Sequence, residues 1–239
     1  MERATTAAPG TGSSSANGAG RRSRARRRRA ARLFRFDRSL GSRFVAGADE
    51  AGRGSLAGPL VAAAVLIDYA TMGRRDRIAL SELDDSKVRS PEEREELYPR
   101  VLQAAARVVV TARCVRGIDA RGLHLTNLAA LGRSLERVAL PGAACLVDGF
   151  RVPDCPIPHR AVIDGDARSA AIAAASVVAK VTRDRYMCRV DPSYPVFGFA
   201  GNVGYSTPEH RAAIVEHGPS TLHRRSFASI AYTQFELDG

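Results

Sequence analysis

The chain has 239 residues, enough for one domain or two, and its 45% hydrophobic and 26% charged content excludes a wholly disordered or fibrous protein. The longest clean apolar run, Leu60 to Ile67, stops at Asp68, well short of the roughly 20 residues that a membrane helix needs. The net charge of +11 is concentrated at one end: residues 1–43 carry twelve arginines against Glu2 and Asp37, whereas the rest holds 24 bases and 23 acids. Cys114, Cys145, Cys155 and Cys188 form no CxxC pair and have no histidines at zinc-ligand spacing. They are also too sparse for a disulfide scaffold, and no apolar segment follows the first basic residues, so a reducing cytoplasm and no zinc are expected, with a monomer as the default.

Sixteen of the first twenty residues are Ala, Gly, Ser, Thr or Pro, and residues 21–29 read RRSRARRRR. Such a segment has little apolar surface to bury and repels itself. Residues 1–43 are therefore expected to be a disordered basic tail, either a solubilising appendage or an accessory nucleic-acid contact, with the folded domain over 44–239. From Phe44 the pattern FVAGADEA reads as a strand, and LVAAAVLI after Pro59 as a second one paired antiparallel with it. Ser90-Pro91-Glu92-Glu93 opens a helix to about Ala105, with proline first and acids in the first turn. A strand follows over 107–114. Leu125, Leu128, Leu131, Leu135 and Val138 lie at helical spacing and predict one helix over 118–140, ended by Pro141-Gly142. A strand over 144–147 closes on Asp148, and a short one covers 161–163. A long Ala-rich helix then runs over 169–190, and a last helix opens at Thr207-Pro208-Glu209. This order predicts an α/β domain, a mixed sheet flanked by helices with a helical C-terminal region.

Two adjacent acids, Asp49 and Glu50, close an apolar strand just before Gly52-Arg53-Gly54. Carboxylates in that setting are seldom buried without a partner, so a salt bridge or a metal is implied. Neighbouring side chains on a strand point to opposite faces, so the two share a site only where the strand ends or twists, which the glycines permit. Residues 52–57 also fit a GxGxxA dinucleotide fingerprint. Two acids before the turn would repel a pyrophosphate, however, and Pro59 with a following strand denies it a helix N-terminus. Asp148 ends a second apolar strand beside Gly149. Asp166 precedes the Ala-rich helix, where the helix dipole alone would favour it. Together the four carboxylates make an all-oxygen set suited to Mg2+ or Mn2+, hard cations that assist phosphoryl transfer.

GADEAGRGSLAGPLVAAAV from Gly47, DDSK at 84–87, VDG at 147–149, GD at 165–166, AASVVAKVTRDR at 174–185 and EHGPSTLHRRSF at 216–227 carry a family resemblance. Over about residues 44–230 the chain resembles the bacterial ribonuclease HII family. The resemblance implies a ribonuclease H-like fold and a metal-dependent endonuclease. Its substrates would be RNA/DNA hybrids and duplex DNA carrying single ribonucleotides, and its products would end in 5′-phosphates. It implies that Asp49, Glu50, Asp148 and Asp166 are the catalytic, metal-holding acids, acting with two Mn2+ or Mg2+ ions, and that Gly52, Arg53, Gly54, Lys87 and Tyr205 bind substrate. Asp164 and Asp184 would be bystanders, Asp184 in a salt bridge. The chain has Asn202-Val203 where the family commonly has His-Lys, and Val88 where it has a second lysine. His223-Arg224-Arg225 and the Arg-rich tail are the candidates to replace those phosphate contacts. A reading from another class, a non-catalytic nucleic-acid binder with a structural acid cluster, is separated from this one by metal-dependent cleavage.

Overall fold

A computed structural model of the chain describes residues 28–83 and 89–227. Its strands are β1 (Phe44–Ala51), β2 (Leu60–Asp68), β3 (Arg107–Arg113), β4 (Ala144–Asp148) and β5 (Arg160–Val162), in the sheet order β3-β2-β1-β4-β5. β2 is antiparallel to both β1 and β3, whereas β4 runs parallel to β1 and β5 parallel to β4. The helices are α1 (28–38), α2 (Arg74–Ala79), α3 (Pro91–Ala104), α4 (Val115–Arg121), α5 (Leu123–Val138), α6 (Ala170–Val190), α7 (Phe199–Asn202) and α8 (Pro208–His217). The predicted mixed sheet and its helical C-terminal third are thus present. The helix expected over 118–140 is two helices, because Gly122 adopts φ 79° and breaks the backbone ladder there. Among the described residues no helix is long and apolar enough to cross a membrane.

β1 and β2 are apolar on both faces because helices cover both. Val45 and Ala51 of β1 pack with α6, and Ala46 and Ala48 pack with α5. The alanines of α6 let it approach β1 closely: a Cβ placed on Gly47 would lie 2.3 Å from the backbone of Ala171 and Ile172. That approach brings the middle of α6 to the end of β1, where the acids stand.

The boundary expected at residue 43 is corrected. α1 buries Ala30, Leu33 and Phe34 in the same core as α6, with Met72, Leu80 and Leu83. Its Asp37 is fully buried and accepts hydrogen bonds from the Tyr69 hydroxyl at 2.9 Å and the Ala171 amide at 3.0 Å. Arginine density hides a short i, i+3, i+4 apolar face that needs the sheet to cover it. Residues 1–27, the remainder of the expected tail, lie outside the described residues. Phe34→Ala should lower the unfolding free energy by about 3–5 kcal/mol, whereas Arg35→Ala on the solvent side should stay within about 0.5 kcal/mol. Urea unfolding of both variants checks this, and equal stabilities would return α1 to the role of a dispensable tail.

Candidate active site

The parallel register pairs Ala48 with Val147, and one further step sets Asp49 level with Asp148 at the end of both strands. Asp49 is 5% exposed and hydrogen-bonded to Ser176 of α6. Its Oδ1 also accepts the Glu50 amide at 2.7 Å. Asp148 Oδ1 accepts the Gly165 amide at 2.6 Å. Gly165 admits no side chain, since a Cβ would lie 2.6 Å from Ile172 Cδ1 and 2.9 Å from that same Asp148 oxygen. Asp49, Glu50 and Asp148 line one cleft of about 390 Å³ together with Gly52, Arg53, Gly54, Arg94, Ser176, Lys180 and Tyr205. Asp166 does not line it. It is 2% exposed in the turn Gly165–Ala167, one residue beyond the amide that holds Asp148. Asp164 is exposed, with φ 51°, and Lys87 lies outside the described residues.

Burial first, and then the charges of Glu50 and Asp148, push the Asp49 carboxyl well above the usual carboxylate range. Among the described residues, no three His, Cys, Asp or Glu side chains are already gathered at metal-binding geometry. The donor set still fits a hard divalent cation, because three carboxylate side chains face one cleft and repel one another, a repulsion that bound positive charge relieves. Arg53 Nη1 offers only a long contact to Glu50, at 3.8 Å, and its guanidinium lies 5.0 Å from the centre of the half-exposed Phe150 ring.

The wall beside the acids is built by two fully buried arginines. Arg183 donates from Nε to Pro59 O (3.0 Å), from Nη1 to Val203 O (2.8 Å), and from Nη2 to Ser55 Oγ (2.7 Å) and Ala57 O (3.0 Å). Arg224 donates to Gly58 O twice and to Arg53 O. Burial lowers the pKa of both, and the charge of Arg183 helps to push Arg224 down to about 9. Arg183 thus ties the loop after β1 to the turn that carries Tyr205, whose ring centre is 5.3 Å from its guanidinium and 5.0 Å from Lys180 Nζ. The same two segments are joined through Gly204 O, which accepts the Leu56 and Ala57 amides.

The ribonuclease HII family model matches residues 46–230. A ribonuclease HII of Salinispora tropica is 45% identical over 207 residues, 85% of this chain and 75% of that protein. The chain belongs to the ribonuclease HII family. Membership makes it an endonuclease that hydrolyses the RNA of RNA/DNA hybrids. Among solved structures, the ribonuclease H2 of Pyrococcus horikoshii matches with a TM-score of 0.65 and 26% identity, over 81% of this chain and 99% of that one. The fold is shared with Bst-RNase HIII, solved in complex with Mn2+, at a TM-score of 0.64 and 19% identity, over 85% of this chain and 72% of that one.

Of the departures from the family pattern, Val88 lies outside the described residues, while Asn202 and Val203 shape the turn before Tyr205. Asn202 closes its own turn, accepting the Gly204 amide at 2.7 Å and donating to Phe197 O at 2.6 Å. Val203 takes φ 43°, unusual for a β-branched residue, and presents its carbonyl to Arg183. The expectation that His223 and Arg224 supply phosphate contacts is corrected, because both are buried; Arg225 alone of the three is exposed. Asp184 pairs with Lys180 at 2.9 Å and Arg94 at 3.6 Å, as expected of a bystander. Sequence reasoning missed Ser176, Lys180 and Arg183. The signal was present in Ser176, Lys180 and Asp184, a polar stripe at i, i+4, i+8 on an otherwise Ala- and Val-rich helix.

His223 has a different task in this family member. The Ser220 amide donates to its Nδ1 (2.9 Å), its Nε2 faces His210 Nε2 (3.0 Å), and His210 Nδ1 faces Tyr205 O (2.8 Å). Only neutral rings satisfy that chain: His223 Nε2–H donates to His210, whose Nδ1–H donates to the Tyr205 carbonyl. Burial lowers the pKa of both and, with His210 alongside, pushes His223 down to about 4. The unfolded chain therefore binds the extra proton first, and this stabilisation, full above about pH 6.5, is lost as the pH falls towards 4, at about 1.36 kcal/mol per unit. Wild type should lose about 2 kcal/mol of its advantage over His223→Gln between pH 6.5 and 5. Comparing the two in urea cancels the opposing contribution of Asp37, which burial raises to about 6 in both. A pH-independent difference would rule out the neutral pair.

Proposed function

We propose that Asp49, Glu50, Asp148 and Asp166 hold the divalent cations, Mg2+ or Mn2+, with which this endonuclease cleaves beside a ribonucleotide, whether in a hybrid or singly embedded in duplex DNA. The reading is carried by the convergence of Asp49, Glu50 and Asp148 on one cleft, where like charges raise the Asp49 pKa. Bound cations would supply an activated water and neutralise charge on the phosphate and the leaving oxygen. The chain's own part is to orient the ligands: Ser176 and the Glu50 amide hold Asp49, and the Gly165 amide holds Asp148, while Asp166 follows in the same turn. All four come from one chain, so a monomer suffices.

Gly52-Arg53-Gly54 and Tyr205 are proposed to read the ribose. The Gly52 and Arg53 carbonyls turn inward to Ser55 Oγ and Arg224 Nη1. Because a trans peptide sets N–H opposite C=O, the Arg53 and Gly54 amides point away from these partners, free to donate to a 2′-hydroxyl or a phosphate. The two glycines differ. Among the described residues a Cβ on Gly54 meets nothing within 4 Å, whereas one on Gly52 would lie 2.0 Å from Arg183 Nε. Gly52 is therefore needed by the protein itself, whereas the space beside Gly54 is left open to a docked strand.

The test compares a long hybrid with a duplex bearing one ribonucleotide, each with Mn2+, with Mg2+ and with chelator. Chelator should stop both reactions. Tyr205→Phe removes one hydrogen bond, worth roughly 1 kcal/mol, and should weaken cleavage modestly. Tyr205→Ala removes the ring as well and should impair the single-ribonucleotide substrate far more than the hybrid. Equal losses on both with a lowered melting temperature would instead make Tyr205 a packing residue, and cleavage that survives chelation would refute the metal reading.

A further inference from the structure

Outside the catalytic cleft, α1 and α2 build a second charged surface. Because α1 turns Ala30, Leu33, Phe34 and Asp37 inward, its five arginines, at 28, 29, 32, 35 and 38, are all exposed. α2 adds exposed Arg74, Arg75 and Arg77. A groove of about 410 Å³ between the helices is lined by Arg35, Arg38 and Arg77 around Ala30, Ala31, Phe34 and Ser81, and among the described residues no acid lines it. The acids of these two helices are engaged elsewhere: Asp37 is buried on Tyr69 and Ala171, and Asp76 accepts the Gly73 amide. Among the described residues none of the eight arginines is in an ion pair.

Like charges held close together on folded helices raise each other's energy, and a polyanion with repeating phosphates relieves this by releasing its counterions. We infer that the α1–α2 face binds the phosphate backbone of the same duplex whose ribonucleotide lies in the cleft, as an accessory site away from the cut. α6 sets the spacing. Ala171, which touches Asp37, lies five and nine residues before the cleft-lining Ser176 and Lys180, about 8–14 Å along the axis, and the outer side of α1 is a further helix diameter of about 10 Å away. These displacements bound the separation at about 24 Å, less than one turn of duplex, about 34 Å, so a duplex reaching a full turn to either side of the cleft covers the α1–α2 face, whereas a ten-base-pair duplex, reaching half a turn, ends short of that bound. A membrane surface is the poorer match, since such helices seat Trp, Phe or Leu in the lipid and the exposed positions of α1 are Arg and Ala.

The test uses the full chain and the triple variant Arg32→Gln, Arg35→Gln, Arg77→Gln. Substrates with one central ribonucleotide have about 40 or about 10 base pairs, roughly four turns or one. On the long duplex KM should rise roughly tenfold, and the slope of log K against log salt should fall by about 2.7, three contacts at about 0.9 each. The kcat value, the melting temperature and the kinetics on the short duplex should be unchanged. The inference rests on the cleavage activity, which wild type on the short duplex checks separately. It is overturned if KM and salt slope on the long duplex match wild type, or if both lengths lose equally. It is also overturned if binding to phosphatidylserine vesicles falls while the long-duplex kinetics stay intact.

Discussion

Asp49→Asn should abolish cleavage, lowering kcat beyond the roughly 10- to 100-fold loss that disturbing a metal's outer partners brings, while the metal-free protein melts no lower than wild type. The substitution keeps the side-chain volume and removes a charge. That charge is disfavoured in the metal-free fold, because burial and the neighbouring Glu50 and Asp148 all raise the Asp49 pKa. Removing it relieves repulsion at neutral pH, so the folded state loses nothing, whereas a cation loses one of its carboxylates. Asp148→Asn should behave alike in cleavage. Asp184→Asn is the control: Asp184 itself does not line the cleft, and its carboxylate only steadies the cleft-lining Lys180 and Arg94 from behind, so most of the activity should survive. Single-turnover cleavage in saturating Mg2+ and Mn2+, run beside thermal melts, decides the matter. Near wild-type turnover by Asp49→Asn would falsify the proposed role of the acids.

The largest expected loss of stability is at Arg183. Its guanidinium serves three backbone carbonyls and the Ser55 hydroxyl in a site that water does not reach. Arg183→Ala strips those acceptors of their donors at about 1–3 kcal/mol for each group left unsatisfied, and a total loss of about 4 kcal/mol or more is expected. Arg183→Lys keeps the charge but not the planar fork, so it should fall between the two. Because the same side chain joins the Gly52–Pro59 loop to the Tyr205 turn, the lysine variant should also raise KM more than it lowers kcat. Urea unfolding of both variants and steady-state cleavage by the folded one provide the check. A wild-type unfolding midpoint for Arg183→Ala would mean that the clamp does not hold the two segments together.

Much of this molecule is local and is therefore legible in its sequence. β1, β2, α3, β4 and α6 lie where alternation, caps and periodicity place them, since those signals act over a few residues. The pairing of strand-end acids Asp49, Glu50 and Asp148 is legible for the same reason: a charge after an apolar run has few places to go. The family motifs carry the activity. What could not be read concerns which side of a residue is covered. Leu33 and Phe34 sit among arginines, and only the sheet beneath them makes α1 part of the core. His223 and Arg224 look like surface bases in HRRSF, yet the carbonyls of Arg53 and Gly58 and the ring of His210 draw them inside. Asp166 joins the other acids in any reading of spacing, whereas the fold seats it in the turn behind Asp148 rather than in the cleft lining. Burial and the charge around a group are set by segments far away in the chain, so they are decided only when the tertiary structure brings those segments together.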